Sequence, residues 1–211
     1  MKHDLNELYS YRFFRGRARY HWRAPILCGS INYMWLRDHL KSAIDVGAGA
    51  GDLVKGFLDL GYDAYGIEGI DTCRQYLVCP DERMIIHDLR LPIDLKSYMW
   101  NTRFDICTCW EVAEHIEPEF ADVFIENLIG LSDRILMSAC PPNPAGKPSK
   151  GSVGHWNEQP QSYWQGKFKI RGYARHEKVE ERFRNLVSPW KSKYGIKAFY
   201  QNVLYFQKAE L

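Results

Sequence analysis

Ser42-Ala-Ile-Asp-Val-Gly-Ala-Gly-Ala-Gly51 is a five-residue, mostly apolar run closed at once by glycines at 47, 49 and 51. Behind it, Asp52 to Leu60 places Leu53, Phe57 and Leu60 on one helical face, and Gly61 supplies a stop signal. The stretch therefore reads as strand, tight turn, helix. Glycines lack Cβ atoms, so such a turn lets the backbone approach a ligand closely. The helix N-terminus behind it offers unpaired N–H groups.

Working outward, Asp63 to Glu68 predicts a second strand, Arg83 to His87 a third, Phe104 to Trp110 a fourth and Arg134 to Ala139 a fifth. Pro118 to Leu131 predicts a helix with proline suited to its first turn. Residues 25–41, opened by Pro25, predict a helix, and Ile196 to Lys208 alternates as a terminal strand. Strands alternating with helices predict a mainly parallel sheet covered on both faces. Such sheets bind ligands outside the carboxyl ends of their strands. Glu68, Asp88, Trp110 and Glu111 all fall at those ends. Glu68 follows Gly51 by 17 residues, where an acid can accept both hydroxyls of a ribose.

Composition narrows the class. The 211 residues predict one domain, divided into an N-terminal helical cap (1–41), a binding core (42–140) and a loop with the rest of the sheet (141–211). Hydrophobic content of 45% and charge of 26% exclude disordered and fibrous classes. Net charge +2 does not by itself call for a polyanionic partner. No apolar run approaches the ~18–20 residues of a membrane span, and the N-terminus has no apolar signal region. Six cysteines without a Cys-x-x-Cys read as free thiols in a reducing compartment, and a cytoplasmic protein is expected. Cys107 and Cys109 lie two apart in a predicted strand and would face one side.

Asp45-Val-Gly-Ala-Gly-Ala-Gly51, Gly66-Ile-Glu68-Gly69, His87-Asp88-Leu89 and Phe104-Asp-Ile-Cys-Thr-Cys-Trp-Glu111-Val-Ala-Glu114-His115 together resemble the successive motifs of class I S-adenosylmethionine-dependent methyltransferases. The resemblance implies a Rossmann-like, mainly parallel seven-stranded sheet with helices on both faces and an antiparallel last strand. It implies that Asp45 and the Gly47-Ala48-Gly49 backbone lie near the methionine moiety and Glu68, with Gly69 beside it, at the ribose. Asp88 and Leu89 would lie near adenine and Trp110 beside the cofactor. A dehydrogenase is the rival, but the Gly-x-Gly-x-Gly spacing differs from the Gly-x-Gly-x-x-Gly that suits a pyrophosphate.

Methyl transfer to a hydroxyl calls for a positioned base or a cation that lowers the acceptor's proton affinity. Glu111, His115 and His155 are the candidate catalytic residues; a helical Glu111–His115 stretch would put Glu111, Glu114 and His115 on one face. Glu111, Glu114, His115 and His155 also resemble the magnesium-binding set of small-RNA 2′-O-methyltransferases, although His155 follows His115 more closely here. The alternative reading is that Glu114 and His115 only brace the loop. Pro141 to Gly154, rich in proline and glycine, is expected to form an acceptor loop. Arginines among aromatics before residue 24, and Lys167 to Arg175, could present a nucleic-acid surface or simply a solvated face. The preferred reading is methyl transfer to oxygen of a small molecule or sugar. An RNA or DNA methyltransferase and a catalytically silent partner subunit are the alternatives.

Overall fold

The glycine turn lies where the order of strands reverses. The computed structural model describes residues 9, 14–15, 21–98, 103–144, 154–193 and 195–209. Strands β1 (Ser42–Val46), β2 (Asp63–Glu68), β3 (Met84–Ile86), β4 (Ile106–Trp110), β5 (Arg134–Ser138), β6 (Tyr173–Arg175) and β7 (Val203–Lys208) form one sheet in the order β3-β2-β1-β4-β5-β7-β6. The first five are parallel, and β7 runs antiparallel to both β5 and β6. The chain steps outward from β1 to β2 and β3, then crosses back to β4. The crevice at the carboxyl ends of β1 and β4 is thus the topological switch point, where such sheets bind ligands.

Among the described residues six helices cover the sheet: α1 (Arg23–Met34), α2 (Asp52–Asp59), α3 (Ala121–Leu131), α4 (Gln161–Lys169), α5 (Glu177–Val187) and α6 (Lys197–Asn202). On one face Leu27, Ile31, Phe57, Phe183 and Phe199 pack over Ala43, Ile106, Leu136 and Tyr205. On the other, Phe124, Leu128, Trp164 and Phe168 pack over Ile44, Cys107, Cys109 and Phe206. The alternation of β4 divides its side chains between the layers, Ile106 and Trp110 to one and both cysteines to the other. Burial on both faces is why these strands read as apolar runs rather than alternating ones. All six cysteines are free thiols. No helix among the described residues is long and apolar enough to cross a membrane.

Three segments differ from expectation. The first helix spans Arg23–Met34 rather than 25–41; the chain then turns, and His39 adopts a left-handed φ of 51°. The terminal strand begins at Val203, because residues 197–202 coil into α6 and bury Phe199 against Trp110. The Lys167–Arg175 run supplies the end of α4 and the edge strand β6.

Candidate active site

The turn after β1 is pinned to β2. The N–H groups of Gly47 and Ala48 both donate to the Ile67 carbonyl, at 2.8 and 3.0 Å. Gly47 has φ 75°, and a Cβ there would lie 2.3 Å from Val112 Cγ2. Gly49, at φ 59°, has open space where its Cβ would be. Its N–H donates to Glu68 Oε2 at 2.8 Å, while Gly69 N–H donates to Glu68 Oε1 at 2.8 Å. Both carboxylate oxygens are thereby aimed.

Around this frame lies an open cleft. Gly47, Gly49, Glu68 and Gly69 line one side of it, and Ile70, Asp88, Leu89 and Arg90 continue the wall. Glu111, Val112, His115 and Ile116 form the other end, with Tyr9 from the N-terminal segment beside them. The Asp88 carboxylate accepts Arg90 Nε at 2.9 Å and Nη2 at 3.0 Å; Arg90 Nη1 also donates to Glu117 Oε1 at 3.0 Å. The buried guanidinium therefore fixes Asp88 at the rim, and the sequence reading had not singled out Arg90.

Asp45, Ala48 and Trp110 lie behind the turn, around a smaller hollow shared with Arg23, Asp52 and Phe199. The Gly47 and Gly49 backbone borders both spaces. Asp45 is 3% exposed and accepts the Thr108 hydroxyl at 2.7 Å. Burial pushes its carboxyl up to about 7, against the opposing pull of Thr108 and of Arg23. Trp110 stacks on Phe183 with centroids 5.4 Å apart and contacts Phe199 at 5.0 Å, a core role on this side of the sheet. The Arg23 guanidinium sits 5.2 Å over the Phe199 ring and 3.7 Å from Asp52, which also pairs with His21.

The other end of the cleft is drawn from distant segments. Glu111 has φ 54°, and its N–H donates to the Ser138 carbonyl and hydroxyl, both at 3.1 Å. Its carboxylate accepts from Asn202 Nδ2 at 3.2 and 3.3 Å. This corrects the expected shared helical face: the left-handed residue turns the chain, and only Ala113–His115 form a single 3₁₀ turn. Glu111 lines the cleft, whereas Glu114 is fully buried. His115 Nδ1 lies 3.0 Å from the Gly154 carbonyl and 2.6 Å from the Tyr9 hydroxyl. A carbonyl only accepts, so the Gly154 contact favours the tautomer with the proton on Nδ1, and the Tyr9 hydroxyl can serve either role.

His155 packs edge-on against His115, with ring centroids 4.5 Å apart at 85°, but does not itself line the cleft. Its Nδ1 meets Glu158 Oε1 at 2.7 Å. Glu114, His115 and His155 each bring one donor atom within 4.8 Å of the others, and Glu111 stands apart from that group. Most of the 141–154 loop, from 145 to 153, lies outside the described residues, as does most of the N-terminal arginine cluster. Three cations of the second basic run, Lys167, Arg171 and Arg175, are paired with carboxylates. Lys167 and Arg171 both reach Asp122 at 2.9 Å, Arg171 reaches Glu126 at 2.6 Å, and Arg175 reaches the buried Glu180 at 2.8 Å.

Compared with known proteins, the chain matches no family model and no curated protein. Its fold does match solved structures. DesVI of Streptomyces venezuelae superposes with a TM-score of 0.65 at 12% identity, over 99% of this chain and 100% of that one. The plantazolicin methyltransferase BpumL in complex with SAH gives 0.62 at 12% identity, covering 97% and 93%. The magnesium protoporphyrin IX methyltransferase of Synechocystis PCC 6803 with bound SAH gives 0.57 at 15% identity, covering 97% and 92%. The chain thus has the Rossmann-like methyltransferase fold from end to end.

Proposed function

We propose that this chain transfers the methyl group of S-adenosylmethionine to an oxygen on a small molecule or sugar. The observation that carries the reading is the continuity of one cleft. Glu68, its oxygens aimed by Gly49 and Gly69, stands at one side, and His115, its Nδ1 beside the Gly154 carbonyl, stands at the other. The residues fit the cofactor: a ribose would donate to the Glu68 carboxylate, and adenine would lie by Ile70, Leu89 and Asp88. The methionine end would pass along Gly47 and Gly49 toward the hollow of Asp45 and Arg23, an arginine suited to a carboxylate. The bound cofactor supplies an electrophilic methyl carbon on a sulfonium. The protein's part is to hold the acceptor in line and receive its proton. In this reading His115 Nε2 takes that proton, Glu111 and Tyr9 orient the acceptor, and His155 backs the His115 ring. Six free thiols suit a reducing compartment, in keeping with a cytoplasmic enzyme.

Calorimetry with S-adenosylhomocysteine and NAD tests the cofactor half. The reading requires the former to bind tighter, and a preference for NAD overturns it. Mass analysis after incubation with isotope-labelled S-adenosylmethionine and cell extract, split into metabolite and nucleic-acid fractions, tests the acceptor half. Label confined to the nucleic-acid fraction would transfer the assignment to RNA or DNA.

A further inference from the structure

Behind the acceptor wall, three donors of different softness meet where the 141–154 loop begins and ends. Cys140 follows β5; His155 and Glu158 follow the loop. Each offers one ligand atom within 4.8 Å of the other two. His155 Nδ1 lies 2.7 Å and Cys140 Sγ 3.9 Å from the same Glu158 oxygen, Oε1. We infer that Cys140, His155 and Glu158 form a binding site for one zinc-class divalent cation, which ties the two ends of this loop together.

Metal-ligand geometry supports the inference. Tetrahedral Zn²⁺ takes nitrogen or oxygen at about 2.0–2.1 Å and thiolate at about 2.3 Å. Its ligand atoms are then about 3.3 Å apart for an N,O pair and about 3.6 Å for an S,O pair. The His155–Glu158 contact has to open by a few tenths of an ångström, and the Cys140–Glu158 contact has to close by a few tenths. Coordination through Nδ1 leaves the imidazole proton on Nε2, and binding releases the thiol proton, so affinity rises with pH. A Cys/His/carboxylate set suits zinc far better than magnesium or calcium, which take oxygen ligands. With three protein ligands, the fourth position is left to water.

The neighbouring Glu114–His115–His155 group competes for His155, but it offers no thiolate. Cys140 is also the one cysteine of the six that is not buried, so its chemistry can be followed selectively. The site does not depend on the methyl-transfer reading.

The test uses the untagged, chelator-treated full chain titrated with Co²⁺ and then Zn²⁺. One equivalent of Co²⁺ should bind with intense thiolate-to-cobalt charge-transfer absorption, and Zn²⁺ should bleach it. Losing even an outer partner of a metal ligand costs about 10–100-fold in affinity, so Cys140→Ser, which loses a ligand, should weaken Zn²⁺ by about 100-fold or more. Glu158→Gln should weaken it comparably, with the charge-transfer band still present at saturating Co²⁺. Zn²⁺ should also slow alkylation of Cys140 in the wild type, read by mass spectrometry, which keeps the test open should a variant misfold. Absence of stoichiometric binding overturns the proposal. So does a cobalt spectrum without the thiolate band, or binding lost in Glu114→Gln but retained in Cys140→Ser.

Discussion

The two sides of the cleft are built in opposite ways. The side of Glu68 comes from one contiguous stretch, residues 45–69, and its working groups are largely backbone: the N–H of Gly49, the N–H of Gly69 and the carboxylate they aim. The side of His115 gathers Tyr9, Glu111, His115, Gly154 and Asn202, with direct contacts that join residues as much as 106 positions apart. A site made of a turn needs only local sequence and can recur wherever that turn recurs. A site assembled from loops can change one residue at a time over a constant sheet. In the proposed function the first side holds the cofactor, and the second selects the acceptor.

The comparison breaks most sharply at His115. His115→Ala should lower methyl transfer into the metabolite fraction by about 10²–10⁴-fold, the range for a general base, with S-adenosylhomocysteine affinity nearly unchanged. A comparable loss of cofactor affinity would mean that the two sides are not separable. Tyr9→Phe removes only the hydroxyl at Nδ1, so its loss should be smaller and should appear as weaker acceptor binding.

The complementary change is Glu68→Ala. Two charge-assisted hydrogen bonds to a ribose, at about 1.5–3 kcal/mol each, predict at least a 100-fold loss of cofactor affinity by calorimetry. The structure adds a consequence: Gly49 and Gly69 lose their shared acceptor, so the turn itself should loosen. Glu68→Gln keeps one acceptor oxygen and should fall between. Retention of full affinity in Glu68→Ala would remove the ribose from this position.

These two sides were unequally legible in the sequence for physical reasons. Five parallel strands, their order in the chain, and Glu68, Asp88 and Glu111 at their ends follow from periodicity and turn chemistry, which are short-range. The six-residue helix α6 was hidden because Phe199 to Phe206 alternates plausibly as a strand. Only the docking of Phe199 on Trp110, across 89 positions, decides otherwise. Glu111 was placed on a helical face because nothing local announces a left-handed glutamate. Tyr9, Arg90, Asn202 and Glu158 carried no signal beyond residue type, since their partners are set by tertiary folding. The charge ladder from Asp122 and Glu126 to Lys167 and Arg171 was equally invisible.

Behind the turn, Asp45 provides a smaller and more local test. Its carboxyl is raised to about 7 mainly by burial. Between its ordinary value near 3.8 and that value, the folded chain holds a proton that the unfolded chain has released. Stability should therefore fall as pH rises through this window, by about 1 kcal/mol per unit, and level off above about 7. Asp45→Asn, which keeps a carbonyl acceptor for Thr108, should flatten that slope in denaturant titrations from pH 4 to 8. An unchanged slope would show that Asp45 is ionised throughout the window.

The smallest effect is expected at the basic run, whose sequence suits either a nucleic-acid surface or a solvated face. A cation that neutralises a phosphate must first leave its carboxylate, and Lys167, Arg171 and Arg175 all have carboxylate partners. Non-specific affinity scales with the number of phosphates contacted, each adding about 0.7–0.9 to the slope of log affinity against log salt. The double change Lys167→Ala with Arg171→Ala should therefore alter RNA or DNA binding, read by fluorescence anisotropy against salt, by less than one unit of slope. Stability should shift by only a few tenths of a kcal/mol for each exposed pair lost. A drop of two units, or a complex selective for one sequence at physiological salt, would show that the ion pairs open for a polyanion. The acceptor side would then extend across α4, far beyond the cleft around His115.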